Sequence, residues 1–248
     1  MTTENVAASA PVHRVVGLRP YYDEAGITIY HADCAQVLPF LDPVDLLLTD
    51  PPYGMEFQSN RRKAKHDKII GDETLPLGRI HSAIDRATVA SYIFCRWDNI
   101  PQMPKAKSVL AWVKNTWSMG DLEHEHGRQW EACLFYPGER HAFTRRIPDV
   151  IYCERTGNDL HPTQKPIGVI SQIIEAYSTT AQTILDPFMG SGTTLVAAKN
   201  LGKRAIGIER ELKYCEIAVR RLAQQTLFQV EQSNPEVCGP ALEARHGK

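Results

Sequence analysis

Residues 183–210 read TILDPFMGSGTTLVAAKNLGKRAIGIER, and the texture of the chain changes repeatedly along them. Thr183–Leu185 is a short β-favouring run that ends in Asp186. Gly190-Ser191-Gly192 forms a turn, and Thr193–Leu201 is an Ala-rich segment of helical character. Arg204–Ile208 is a second strand, closed by Glu209. Strand, glycine turn, helix and strand make a βαβ unit, and such units build parallel sheets covered by helices. The glycines let backbone approach a ligand closely, while the first turn of the helix offers unpaired N–H groups. An acid roughly 20 residues beyond the glycine turn, here Glu209, suits ribose hydroxyls. One segment therefore predicts both a fold and a nucleoside pocket.

The same alternation runs outward. Upstream, Ile27–His31 is a strand, Cys34–Leu41 a short helix, Val44–Thr49 a strand, Leu77–Thr88 a helix and Tyr92–Cys95 a strand. Ser108–Val113 and Glu131–Tyr136 are two further strands. Their connection is too short for a helical crossover, which favours an antiparallel pair. Pro166–Tyr177 has apolar residues at Ile167, Ile170, Ile173 and Ile174, which is helical spacing, and Leu212–Thr226 is a closing helix. The fold class expected is α/β, a Rossmann-like doubly wound, mostly parallel sheet. Residues 1–20 and 229–248 have little periodicity and read as a loose arm and tail around a domain spanning 21–228.

With 248 residues, 43% hydrophobic and 23% charged, the chain is of ordinary globular composition rather than that of a disordered polymer. No apolar stretch approaches a membrane span and the N-terminus lacks a signal-peptide core, so a cytoplasmic protein is expected. Its cysteines, Cys34, Cys95, Cys133, Cys153, Cys215 and Cys238, include no CxxC pair and read as reduced thiols. His124 and His126 lack nearby partners for a zinc site, so no metal is expected. The net charge of −1 hides an uneven distribution. Arg61, Arg62, Lys63, Lys65 and Lys68 crowd a loop spanning 54–75, and Arg145 and Arg146 form a smaller basic group. Local basic clusters of this kind suit phosphate contacts.

A second stretch, LLLTDPPYGM at 46–55, places Asp50, Pro51, Pro52 and Tyr53 just after a strand. Ligands of open α/β sheets bind at the carboxyl ends of strands, where these residues fall. The plainer reading is a Pro-rich turn with Asp50 as a turn residue. Back at the glycine turn, Gly192 is followed by Thr193-Thr194-Leu195, without the third glycine of a dinucleotide fingerprint. Asp186 sits badly beside a pyrophosphate but well beside an ammonium. S-adenosyl-L-methionine offers adenosine, ammonium and carboxylate together, while a NAD enzyme stays as the alternative.

Asp50-Pro51-Pro52-Tyr53 upstream and Asp186-Pro187-Phe188-Met189-Gly190-Ser191-Gly192-Thr193 downstream resemble the paired signatures of DNA amino-methyltransferases. Their order resembles the circularly permuted β group of adenine-N6/cytosine-N4 enzymes. His31-Ala32-Asp33-Cys34, His161-Pro162-Thr163-Gln164-Lys165-Pro166 and Gly207-Ile208-Glu209 with Tyr214 and Arg221-Leu222 also resemble family segments, so the likeness spans residues 27–222. Ala32 stands where family members usually have Gly. The resemblance implies that S-adenosyl-L-methionine is the cofactor. It implies cofactor contacts at Asp33, Cys34, Asp50, Thr163, Gln164, Lys165, Asp186, Phe188, Gly190, Ser191, Gly192, Thr193, Glu209 and Arg210, with Lys165 facing the cofactor carboxylate. It also implies DNA as substrate, a target-recognition role for the short 137–160 segment, and a homodimer in some relatives.

In that setting Asp50, Pro51 and Pro52 gain a chemical role. An exocyclic base amine is a poor nucleophile because its lone pair is shared with the ring. Asp50 and the Pro51 carbonyl can each accept one amino hydrogen, with Pro52 stiffening the loop and Tyr53 offering a face for stacking. The base must be flipped out of a duplex to arrive there, with Arg61, Arg62, Lys63, Lys65, Lys68, Arg145 and Arg146 as candidate phosphate contacts. Trp112, Lys114 and Trp117 are candidates for the base pocket, Trp112 equally for the core. Asp at the first catalytic position favours adenine N6, with cytosine N4 as the alternative. A non-enzymatic DNA-binding module would require a broken motif, and none is present.

Overall fold

The computed structural model describes residues 17–54, 74–118, 123–124, 126–155 and 164–228. Most of the expected N-terminal arm, the tail at 229–248, Thr163, and the loop carrying Arg61, Arg62, Lys63, Lys65 and Lys68 lie outside them. The strands, in chain order, are β1 (Tyr22–Glu24), β2 (Ile27–His31), β3 (Val44–Thr49), β4 (Ala87–Cys95), β5 (Ser108–Ser118), β6 (Arg128–Pro137), β7 (Val150–Tyr152), β8 (Thr183–Asp186) and β9 (Arg204–Glu209). The helices are α1 (Cys34–Val37), α2 (Leu77–Ile84), α3 (Ile167–Glu175), α4 (Thr193–Asn200) and α5 (Leu212–Phe228).

All nine strands form one sheet in the order β1-β2-β9-β8-β3-β4-β6-β5-β7. Neighbours from β2 through β4 are parallel, and β6 runs antiparallel between β4 and β5. The centre is therefore the expected doubly wound sheet, and the expected antiparallel pair is β5 with β6. The continuous apolar run of β3 follows from burial on both faces. Leu46 and Leu48 enter one apolar cluster with residues of α3, α4 and α5, and Leu47 enters the other with Val37, Ile80 and Ala83. Burying each such leucine contributes about 2 kcal/mol.

Several boundaries differ from the sequence reading for local reasons. Cys34–Leu41 is not one helix: α1 ends at Val37 and a 3₁₀ turn, Leu38–Phe40, takes over around Pro39, which has no N–H to continue the ladder. The helix expected to reach Thr88 stops at Ile84, because Ala87 already pairs with Val44 of β3. β1 and β7 were not anticipated; each is three residues long and depends on a longer neighbour for its pairing. Cys34, Cys95, Cys133 and Cys215 are free and buried. Among the described residues no helix is long and apolar enough to cross a membrane.

The glycine turn has a packing role that its sequence did not announce. Gly192 is the N-cap of α4 at φ 79°, and a Cβ there would stand 2.8 Å from the Cβ of Ala218 in α5. Its missing side chain thus lets α4 and α5 close on each other as well as permitting the left-handed turn. Gly192→Ala adds backbone strain and a helix–helix clash, together costing about 2–4 kcal/mol. A urea-unfolding midpoint unchanged by that substitution, without ligand, would show that neither constraint holds.

Candidate active site

The parallel strands all present their carboxyl ends on one edge, and the chain leaves neighbouring strands there in opposite directions. From β8 it crosses through α4 to β9; from β3 it crosses through α2 to β4, on the other side. The β8/β3 boundary is therefore a topological switch point, where diverging loops leave a crevice. Asp186 ends β8, and Asp50 follows β3 directly. One cleft at this point is lined by Cys34, Asp50, Pro51, Pro52, Tyr53, Gln164, Lys165, Asp186, Phe188, Gly190, Ser191, Thr193, Glu209 and Arg210. Most of the residues expected at a site thus meet in one place. Asp33 and Gly192 do not line it, but support residues that do.

Two regions of differing chemistry share the cleft. On the β8–β9 side, Asp186 is 4% exposed and accepts hydrogen bonds from the Thr49 hydroxyl at 2.7 Å and the Phe188 N–H at 3.2 Å. Burial pushes its carboxyl up to about 6, against those hydrogen bonds. Glu209 accepts from the N–H groups of Gly190 (3.0 Å) and Glu211 (2.8 Å), and burial raises it as well. Among the described residues the buried Oε1 of Gln164 has no hydrogen-bond partner, a polar atom suited to a ligand. Arg221 of α5 clamps the glycine turn, donating to Ser191 O at 2.7 Å, Ser191 Oγ at 3.1 Å and Thr193 Oγ1 at 3.2 Å. Burial lowers its guanidinium to about 10. At the far rim, Asp33 caps α1 through the Ala35 N–H and is held by Arg79 through two hydrogen bonds, 2.9 and 3.0 Å. Partial burial opposes its ionisation, but Arg79 and the Ala35 N–H outweigh it and its carboxyl lies below the usual value.

The β3 side is a chain of charges. Tyr53 donates to Asp50 Oδ1 at 2.5 Å, and the Lys165 ammonium donates to Asp50 Oδ2. Lys165 also lies 3.2 Å from Glu131 Oε2 on β6, and Lys114 on β5 reaches Glu131 Oε1 at 2.5 Å. The Tyr53 carbonyl is tied to Asn99 Nδ2 at 3.0 Å, which fixes the loop beyond the prolines. Burial lifts Asp50 above the ordinary carboxylate value although Lys165 pulls against it. Burial would lift Glu131 too, but Lys165 and Lys114 prevail and bring it to about 2. For Lys165 burial disfavours the charge, and Asp50 and Glu131 overcome it, raising the ammonium above its usual value. Buried cations and anions here balance each other, as low-dielectric surroundings require.

Some placements differ from the sequence reading. The sequence sent Lys165 to a cofactor carboxylate, whereas its ammonium is held by two carboxylates of the chain itself. Glu131 was not anticipated, although an acid heading the otherwise apolar run Ala132–Tyr136 was a usable signal. Arg79 and Tyr214 also line the cleft without having been expected. Trp112 is core, 2% exposed, with its indole N–H on Cys153 O. Arg145 and Arg146 lie at the opposite edge. Their segment is bonded to Thr88 and Val89 at the start of β4 and to Ala176 and Thr179 ahead of β8, and Arg145 pairs with Glu175 at 3.4 Å. Both arginines, expected as DNA phosphate contacts, therefore lie away from Asp50.

A family described as DNA methylase matches residues 98–220. The Escherichia coli (strain K12) protein YubD, named as a methylase, is 30% identical over 203 residues, covering 77% of this chain and 88% of YubD. The type II methyltransferase M.ScaI of Streptomyces caespitosus is 28% identical, covering 88% of this chain and 89% of its own length. Among solved structures, the M1.HpyAVI–SAM complex superposes with a TM-score of 0.62 at 27% identity, covering 79% of this chain and 99% of that one. The cytosine-N4-specific PvuII DNA methyltransferase, at 13% identity and a TM-score of 0.60 over 83% of this chain and 89% of its own, shares the fold.

The buried acid of β8 has a consequence for stability. Asp186 keeps its proton to about 6 in the folded chain, against an ordinary value of 3.8 when unfolded. Between those values the folded state binds more protons, so its contribution falls as pH rises, by about 3 kcal/mol across the window. Asp186→Asn removes this penalty. Urea unfolding should find the variant more stable than the parent at pH 8 and the advantage shrinking towards pH 4. A constant difference across that range would show that Asp186 does not titrate in the window.

Proposed function

The chain belongs to the DNA methylase family, and on that premise we propose that it transfers a methyl group from S-adenosyl-L-methionine to N6 of adenine in a DNA base turned out of the duplex. The observation that carries this reading is the position of Asp50, at the switch point and one strand from Asp186. The cleft fits the cofactor on its own chemistry. Two buried carboxylates and the unpaired Gln164 oxygen suit an ammonium and ribose hydroxyls, and would repel a pyrophosphate. Asp186 and Gln164 would hold the methionine end, Glu209 the ribose, and Phe188 and Cys34 the adenine side. When bound, the cofactor supplies an electrophilic methyl group on a sulfonium.

The chain's own residues then do four things. Asp50 accepts one amino hydrogen and the Pro51 carbonyl the other, which favours a pyramidal nitrogen with its lone pair free. Tyr53 stacks on the base, and the proline-stiffened loop keeps these acceptors in place, so orientation supplies most of the rate. As the nitrogen gains its methyl group it becomes positive, and the Asp50 carboxylate stabilises that charge until a proton is lost. The DNA approaches the carboxyl edge, where Trp117, Trp130 and Tyr152 are 67%, 45% and 48% exposed at the ends of β5, β6 and β7. The loop with Arg61, Arg62, Lys63, Lys65 and Lys68 follows Tyr53 in sequence and supplies phosphate contacts. Adenine is preferred to cytosine because Asp, rather than Ser, opens the catalytic segment.

Expression in a host without DNA methylation, followed by mass spectrometry of the digested nucleosides, tests the reading. N6-methyladenine should appear with the intact protein and vanish with Asp50→Ala, while cofactor affinity stays within about threefold. N4-methylcytosine in its place would overturn the choice of base, and neither base methylated would overturn the activity. Trp117→Ala should weaken DNA binding about tenfold and leave cofactor binding unchanged; unchanged DNA affinity would move the DNA to another face.

A further inference from the structure

The charge chain on the β3 side does more than neutralise itself. Both oxygens of Asp50 are occupied in the protein alone, Oδ1 by the Tyr53 hydroxyl and Oδ2 by Lys165. An incoming amino group needs one of them, and the two occupants are not equally easy to remove. Tyr53 gives up the hydrogen bond it donates to Asp50 and a long one, 3.4 Å, that its hydroxyl accepts from Lys165, and its ring has to turn if it is to present a face to a base. Lys165 is 6% exposed, lies between two carboxylates, and has the ring of Phe94 5.1 Å away, so withdrawing it would leave both acids buried without a cation.

We propose that Lys165 is a positioning residue for methyl transfer: its ammonium fixes Oδ2 of Asp50, so that Oδ1 alone is handed from Tyr53 to the base amine, while Glu131 anchors Lys165 from β6. The assignment rests on the reading of Asp50 as the amine acceptor. It gives Lys165 a task within the protein in place of one on the cofactor. It also accounts for a largely buried acid on β6, a strand that contributes no residue to the cleft lining, and for Lys114, which completes the balance of two cations with two anions.

The groups that face Asp50 come from every neighbouring element: Tyr53 of its own loop, Lys165 ahead of α3, Glu131 and Cys133 of β6, Cys95 of β4 and Asp186 of β8. Among the described residues Lys165 is the cation in contact with it. Removing that cation leaves burial and the other acids to raise Asp50 further. Lys165 does not touch the reacting atoms in this scheme, so its loss should act on turnover and on the ionisation of Asp50 rather than on cofactor affinity.

The test compares the full chain with Lys165→Met, and with Lys165→Met combined with Glu131→Gln. The second variant removes one cation and one anion together and so protects folding. Three quantities are measured: the S-adenosyl-L-methionine Kd, kcat and KM on DNA, and the carboxyl titration of Asp50 by ¹³C NMR, assigned with Asp50→Asn. The expected result is a Kd within about threefold of the parent and kcat lower by at least about a hundredfold. The acid limb of the rate profile and the Asp50 midpoint should both move to higher pH. A Kd weakened tenfold or more with kcat at saturation retained would return Lys165 to the cofactor carboxylate and overturn the proposal. An Asp50 midpoint that does not move would overturn it as well. If the parent methylates no DNA, the functional reading fails, and the Asp50 titration still decides whether Lys165 controls that carboxyl.

Discussion

The Thr49 hydroxyl donates to the Asp186 carboxylate across the junction of β3 and β8, and the site depends on that junction. Parallel pairing aligns the ends of the two strands, and the opposite directions of their crossovers keep the loops from filling the space between. Asp50 and Asp186 are separated by much of the chain in sequence and by one strand spacing in the sheet. No helix or loop has to be strained to bring them together, because the register of two buried strands already does so. The strand is held from both faces, with Leu46 and Leu48 buried in one apolar cluster and Leu47 in the other.

The junction divides the cleft by chemistry. Towards β9, Asp186 and Glu209 accept from backbone N–H groups and a hydroxyl, and among the described residues neither touches a cation, which leaves them suited to a positive or hydroxyl-rich ligand. Towards β4 the acids are matched by lysines in a closed arrangement of Asp50, Lys165, Glu131 and Lys114. Burial raises Asp50 and Asp186 alike, but the opposing force differs: hydrogen bonds at Asp186, a full charge at Asp50. Two carboxyls in one crevice thereby acquire different environments, the usual physical basis for different roles.

Much of the fold was legible because its signals are local. The strand–turn–helix–strand pattern of residues 183–210, the apolar run ending at Thr49 and the helical spacing after Pro166 each depend on residues near one another in sequence, and all were found close to their predicted bounds. The same holds for the cleft: an acid at a strand end and a glycine turn before a helix are recognisable without knowing what lies beside them. What escaped was pairwise. β1 and β7 are too short to announce themselves and exist through their neighbours. The charge of Arg145 and Arg146 is visible in sequence, while the edge of the sheet on which it falls is not.

By itself, then, the sequence determined the doubly wound architecture, the two strand ends that meet at the cleft, and the class of molecule to which the chain belongs. The tertiary structure alone decided who touches whom across the sheet. It paired Lys165 with Asp50 and Glu131, buried Trp112, set Gly192 against Ala218, and moved the two arginines away from the cleft. The reason is range. Backbone preferences and apolar periodicity act between residues a few positions apart. A buried ion pair is set by strand order and register, which join residues more than a hundred positions apart, as Asp50 and Lys165 are.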